Sequence, residues 1–187
     1  DVSLEVARRE LQPGSVEVIP PEKAPVKEVV LMGDKADLRT LPIPMHQKDD
    51  AGAYLTMACA MKGLNKDFYD ITFTKNKYYE PRRMSFSAHK HHHLEAMTCE
   101  YEAENKRAPV IVILGHHPAF YLSTCCMTPM GNNDYLTASA FLQEPLRLTP
   151  STTWGDKFLV PADAEVIIEG EIPPGVRDKQ NPFGEIL

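Results

Sequence analysis

Tyr54-Leu55-Thr56-Met57-Ala58-Cys59-Ala60-Met61 and Tyr69-Asp70-Ile71-Thr72-Phe73-Thr74-Lys75, joined across a Gly63-Leu64-Asn65 turn, decide the fold. The second run alternates apolar and polar residues as a half-buried strand does, and the turn residues between the runs suit two paired strands. Working outward, Pro109 to Leu114 is apolar throughout and reads as a fully buried strand. Leu94, Met97 and Tyr101, at i, i+3 and i+7, mark an amphipathic helix from about His92 to Asn105. Gly115-His116-His117-Pro118 turns the chain into a helix expected to run through Cys126, and a further helix lies near Tyr135 to Gln143. Strands follow at Phe158-Leu159-Val160 and from Glu165 to Glu171. Strands dominate and helices interleave, which predicts an α+β domain built on a β-barrel or a strongly bent sheet.

The first 40 residues read differently. Val2 to Leu11 suits one helix, but Pro13, Pro20, Pro21 and Pro25 break regular structure after it. Val29-Val30-Leu31-Met32 reads as a short strand and Leu41-Pro42-Ile43-Pro44 as an extended linker. Residues 1–40 are therefore expected to be a tail or the end of a preceding domain, with the folded domain over 41–187.

Composition narrows the partners. Apolar content of 43% and charged content of 25% are those of an ordinary globular chain. A net charge of −6, with no basic cluster larger than pairs such as Arg82-Arg83 and Lys106-Arg107, argues against nucleic acid or an anionic membrane as partner. No apolar run approaches the roughly 18 residues of a membrane span, and the N-terminus carries no export signal, so a cytoplasmic protein is expected. Cys59, Cys99, Cys125 and Cys126 show no CxxC spacing and read as buried free thiols in a reducing compartment.

The chemistry-bearing residues fall into a few groups. His89-Lys90-His91-His92-His93 offers imidazoles for a divalent cation, or else a solvated entry to the following helix. Arg82-Arg83, after Tyr78-Tyr79-Glu80-Pro81, suits a carboxylate or phosphate, or else a plain surface. His116-His117 sits at a strand-to-helix turn and reads as a cap. Asn132-Asn133-Asp134 supplies an N-cap with Asp134 in the first turn. Glu165, Glu169 and Glu171 read as solvated strand charges. Glu185 differs, because Pro182-Phe183-Gly184 fixes its approach and an apolar neighbour can raise a carboxyl pKa into the range of a proton donor.

The order of the segments carries a resemblance. Ile71 to Lys75, Arg83-Met84, His89-Lys90-His91, Val110 to Gly115 with Pro118-Ala119, Asp134-Tyr135, Leu159 to Glu165 and Pro182 to Glu185 resemble, in unbroken order, the central part of a UbiD-type decarboxylase. The branch acting on hydroxylated benzoates is the one it most resembles. The resemblance implies a split β-barrel of the FMN-binding type holding prenylated FMN, a divalent metal (Mn2+ or Mg2+) and K+. It implies non-oxidative, reversible decarboxylation of an aromatic (phenolic) or α,β-unsaturated acid. Mapped here, it implies Arg83 as the arginine orienting the carboxylate, Glu185 as the proton donor, and Asn76, His91 and Asp134 as metal ligands, with His89 and His93 as alternatives. Arg83, His91, Pro118 and Met127 are then the cofactor contacts.

This sequence departs from the family pattern. Gln180 stands where a glutamate is expected and can neither carry charge nor donate an acidic proton. Asp134 replaces a glutamate, the stretch between Arg83 and His91 is short, and Lys75 rivals Arg83 for the cationic role. The resemblance also implies a further C-terminal region, so a homo-oligomer or a partner chain completing the site is expected. The alternative function is a flavin- and metal-binding module, or an assembly subunit, without catalysis of its own.

Overall fold

The computed structural model of the chain describes residues 1–88, 90–178 and 183. The expectations that fall on His89, Gln180 and Glu185 lie outside the described residues. The chain runs through α1 (Val2–Glu10), β1 (Val16–Val18), β2 (Tyr54–Lys62), β3 (Tyr69–Glu80), β4 (Arg83–Met84) and α2 (His93–Ala103). It continues through β5 (Ala108–Leu114), α3 (Pro118–Ser123), α4 (Asp134–Leu142), β6 (Leu146–Ser151), β7 (Gly155–Pro161) and β8 (Val166–Ile172).

The β2–β3 hairpin forms as its alternation predicts, with Ala60 opposite Ile71 and Thr56 opposite Lys75. Its turn closes through Gly63 N–H to the Phe68 carbonyl at 3.1 Å. β4, β3, β2, β5 and β8 pair antiparallel in that order and curl into a half-barrel. A smaller sheet, β1-β6-β7, covers one face. The period-2 geometry of the strands sends Ala58, Ala60, Ile111 and Ile113 into that covered face, against Phe120, Tyr135, Leu148 and Phe158. The alternate residues, Cys59, Met61, Val110 and Val112, meet Leu94 and Met97 of α2 on the other face. Met97 and Leu94 are wholly enclosed, and burying each such side chain stabilises the fold by about 1.5–3 kcal/mol.

Residues that look peripheral in the sequence are tied down. Val16–Val18 pairs parallel with Leu146–Leu148, and Val26 N–H bonds the Ala162 carbonyl at 3.1 Å. Gly14 lies so close to α4 that a β-carbon there would stand 1.8 Å from the Leu136 carbonyl oxygen, so only glycine fits.

Four local expectations need correction. Val29–Met32 is not a strand; it lies exposed between short 3-10 turns, with no neighbouring strand among the described residues to take its amides. The helix expected to reach Cys126 stops at Ser123, because the Ser123 and Thr124 hydroxyls bond back to the Phe120 and Tyr121 carbonyls and compete with the helical ladder. Only Cys59 is a buried thiol; Cys99 and Cys125 are exposed and Cys126 is half-buried. Glu169 is no solvated charge: it sits 12% exposed, accepts the Thr152 and Thr153 amides at 2.9 and 2.8 Å, and faces Lys27. Its burial favours the neutral acid, but those hydrogen bonds win and hold it below the usual carboxylate range.

Candidate functional site

β4 pairs with only the far end of β3, so the outer edge of β3 is open at Asp70 and Ile71. Two helix N-termini meet that edge. From α2 comes its first residue, His93, whose Nδ1 lies 2.7 Å from Asp70 Oδ1. From α4 comes its first residue, Asp134, whose Oδ2 accepts the Ile71 N–H at 3.0 Å. Asp134 thus takes the ladder amide that a neighbouring strand would otherwise use. Thr128 Oγ1 donates to its other oxygen at 2.8 Å.

Both carboxylates are buried. Burial pushes Asp134 up to about 6; the Ile71 and Thr128 hydrogen bonds oppose this, the Asp70 charge adds to it and His93 relieves it. Burial likewise raises Asp70, against the His93 hydrogen bond. Two buried carboxyls that resist ionising beside one imidazole form a site whose charge a bound cation would neutralise. Carboxylate oxygens with one imidazole suit a hard or borderline divalent ion. Among the described residues, no three His, Cys, Asp or Glu side chains already stand in chelating geometry.

The ligand set expected from the sequence does not assemble. Asn76 is enclosed, donating to the Leu55 carbonyl at 3.0 Å and accepting from Thr74 Oγ1 at 3.1 Å. It lies five residues along β3 from Ile71, about 16 Å at strand rise, so it cannot share an ion with Asp134. His91 is exposed at φ 70°, its N–H directed at Glu95. Asp70 stands by Asp134 in place of Asn76, together with His93, one of the two alternatives in the histidine run. Asp70 escaped sequence reasoning because it looked like one polar residue in an alternating strand; only the approach of α4 to the sheet edge reveals it.

The other expected residues are scattered around the β3 surface. Arg83 reaches Asp178 at 2.6 Å and lies over the Tyr79 ring. Phe183 packs edge-on against Tyr54 at 4.8 Å and against His46 at 5.6 Å, with Lys75 Nζ 5.5 Å from its ring centre. Phe183 therefore lies over the far end of the β2–β3 hairpin, beside Lys75. Pro118 opens α3, and Met127 stands fully exposed in the loop after it. Phe73, itself part-exposed, tilts against Tyr121 at 5.7 Å, giving an aromatic platform on the same strand face as Lys75.

A cleft of about 700 Å³ opens at the Gly115 turn, lined by His116, His117, Arg147, Asp163 and Glu165 among others. Gly115 has φ 65° and accepts the Glu165 N–H at 2.7 Å. A β-carbon at Gly115 would meet that of Glu165 at 2.5 Å, so the missing side chain is what lets Glu165 lie across the turn. His117 caps α3 as its position predicts, its Nδ1 accepting the Ala119 N–H at 3.1 Å.

These features belong to a known class of domain. Residues 17–187 match the family model described as the 3-octaprenyl-4-hydroxybenzoate carboxy-lyase Rift-related domain, and the chain belongs to the UbiD family. It is 30% identical over 182 residues to the phenolic acid decarboxylase of Sedimentibacter hydroxybenzoicus, covering 90% of this chain and 36% of that protein. An evolved dimeric form of the UbiD-class enzyme HmfF from Pelotomaculum thermopropionicum, solved with prFMN, superposes with TM-score 0.89 at 32% identity, over 97% of this chain and 42% of that one. The closed form of the vanillic acid decarboxylase of Sedimentibacter hydroxybenzoicus gives TM-score 0.91 at 26% identity, over 99% of this chain and 40% of that one. The chain thus spans about two-fifths of the length of the proteins it matches.

Proposed function

We propose that this chain is the cofactor-binding core of a decarboxylase that releases CO2 non-oxidatively and reversibly from a phenolic or related unsaturated acid, using prenylated FMN. The observation that carries the reading is the meeting of Asp70, His93 and Asp134 at the open edge of β3, in a domain whose solved relatives include one bound to prFMN. Asp70, His93 and Asp134 would hold Mn2+ or Mg2+, and K+ belongs to the same reading. Phe73 and Tyr121, their rings tilted by 37°, would offer apolar surface to the flavin, and Pro118 and Met127 are proposed as further contacts. When bound, prenylated flavin supplies an electron-accepting centre for the pair of electrons left when CO2 departs.

The chain's own residues have the remaining tasks. A cation must hold the substrate carboxylate, and Lys75 is the better candidate because it stands over the ring of Phe183, two residues before Glu185. Arg83, engaged with Asp178, is the runner-up. The C–C bond to the carboxylate breaks, CO2 leaves, and a carboxylic acid delivers one proton to the ring carbon; Glu185 is the proposed donor, and Gln180, five residues before it in sequence, could contribute only neutral hydrogen bonds. No net oxidation occurs.

The same reading places the enzyme in the cytoplasm, in keeping with four free cysteines, and gives it a second copy or a partner chain; no helix among the described residues is long and apolar enough to cross a membrane. Reconstitution of the intact protein with prenylated FMN and Mn2+, followed by measurement of CO2 from 3,4-dihydroxybenzoate, tests it. CO2 release that falls at least about 100-fold in Lys75→Met and in Glu185→Gln supports the reading. Cofactor binding without any CO2 would leave a binding module in its place.

A further inference from the structure

The cleft at the Gly115 turn contains a hydrogen-bond donor that the fold leaves unused. His116 Nδ1 accepts the His117 N–H at 2.9 Å, which places the ring proton on Nε2. Burial holds His116 below the ordinary histidine pKa despite nearby Asp163, so the ring is neutral near pH 7. The ring lies against Phe120, centroids 4.4 Å apart, which resists rotation. Yet Nε2 is screened from solvent and has no hydrogen-bond partner among the described residues. A buried donor left unpaired costs about 1–3 kcal/mol, and such a group calls for an explanation.

The surroundings select the acceptor. Glu17, Glu144, Asp163 and Glu165 line the cleft, with Arg147 the one Arg or Lys among the described residues that line it, and Arg147 is already paired with Asp163. An anion is disfavoured there. A metal ion would need a lone pair on Nε2, which this tautomer does not offer. A hydroxyl satisfies both sides: its oxygen accepts from Nε2–H, and its proton goes to a carboxylate such as Glu165.

The sheet sets a matching distance. Lys75 lies opposite Thr56, and the β2–β5 register, continued from Ala58 opposite Ile113, sets Thr56 beside Gly115. Two strand spacings, about 10 Å, therefore separate Lys75 from the turn that carries His116. Thr56 Oγ1, between them on the same face as Lys75, is likewise buried with no hydrogen-bond partner among the described residues. A benzoic acid with a ring hydroxyl has its carboxylate and its hydroxyl at opposite ends of a span of that order.

We propose that His116, with Glu165 beside it, recognises a ring hydroxyl of a phenolic acid whose carboxylate points toward Lys75, making His116 a specificity-determining residue. The inference rests on the decarboxylase reading only in taking this acid to be the substrate. Isothermal titration of the intact protein with 4-hydroxybenzoate and with benzoate tests it without requiring turnover. The wild type should prefer 4-hydroxybenzoate by at least about tenfold, since a site built around a hydroxyl rejects the analogue lacking it. His116→Phe, which keeps the packing on Phe120, should erase that preference while leaving benzoate affinity unchanged, and His116→Gln, which keeps an N–H donor, should restore much of it. Should His116→Phe fail to fold, the wild-type His116 Nε2 resonance in 15N NMR decides: it must shift with 4-hydroxybenzoate and stay still with benzoate. A preference that survives in His116→Phe, or an Nε2 signal indifferent to the hydroxyl, overturns the proposal. CO2 release without hydroxyl selectivity would sink this inference alone, and selectivity without CO2 release would sink the decarboxylase reading alone.

Discussion

His93 Nδ1 and Asp70 Oδ1 lie 2.7 Å apart although 23 residues separate them in sequence. The contact joins the first turn of α2 to the open edge of β3, with Asp134 one backbone amide further along that edge. Carboxyls in such a place are stabilised only by hydrogen bonds or by a cation.

The first prediction separates Asp70 from Asn76 as the strand's metal ligand. Asp70→Ala and Asp134→Ala should each weaken Mn2+ binding by at least about tenfold, the usual scale for losing a ligand or its close support. Asn76→Ala should lower stability, because it empties a hydrogen-bonded buried site, but leave Mn2+ affinity within about twofold. Calorimetric titration with MnCl2 checks all three, and equal losses across the set would reject the assignment.

Asp134 gives a pH dependence with a definite sign. Its carboxyl is raised in the folded chain from 3.8 to about 6, so the neutral acid is favoured by folding. That contribution is complete below about pH 4 and is lost as pH rises through about 6, leaving a buried charge that costs about 3 kcal/mol at pH 8. Asp134→Asn keeps an acceptor for the Ile71 N–H and should raise the melting temperature at pH 8 but not at pH 4. Adding Mn2+ to the wild type at pH 8 should recover a similar gain. Parallel thermal melts at the two pH values check both, and an Asp134→Asn effect that does not change with pH contradicts the assignment.

Gly115→Ala should destabilise the fold by about 2–4 kcal/mol. The substitution adds left-handed backbone strain at φ 65° and a β-carbon 2.5 Å from that of Glu165. Urea unfolding monitored through Trp154 measures it, and a loss under about 1 kcal/mol would mean that the turn relaxes freely.

Much of this architecture was legible in the chain. The alternation of Tyr69 to Lys75 and the apolar run before Gly115 are local signals that the packing reinforces, and both strands form. β6 was not legible, because Pro150 interrupts its ladder and the register shifts beside it. Val29–Met32 misled in the other direction, since a β-prone run needs a neighbouring edge and finds none among the described residues. At the site, Asp134 could be read from its helix start. His93 stood in the sequence only as an alternative to His91, and Asp70 could not be read at all, because the choice of both arises from an approach between α2, α4 and an open sheet edge that no local spacing encodes.

Pulsed EPR of the Mn2+-loaded intact protein with 15N-labelled histidine tests the cation site on the β3 edge most directly. The account predicts a 15N coupling from one directly bound imidazole that vanishes in His93→Gln and persists in His91→Gln. A coupling that survives in His93→Gln and is lost in His91→Gln would contradict it and return the ligand to the exposed part of the histidine run.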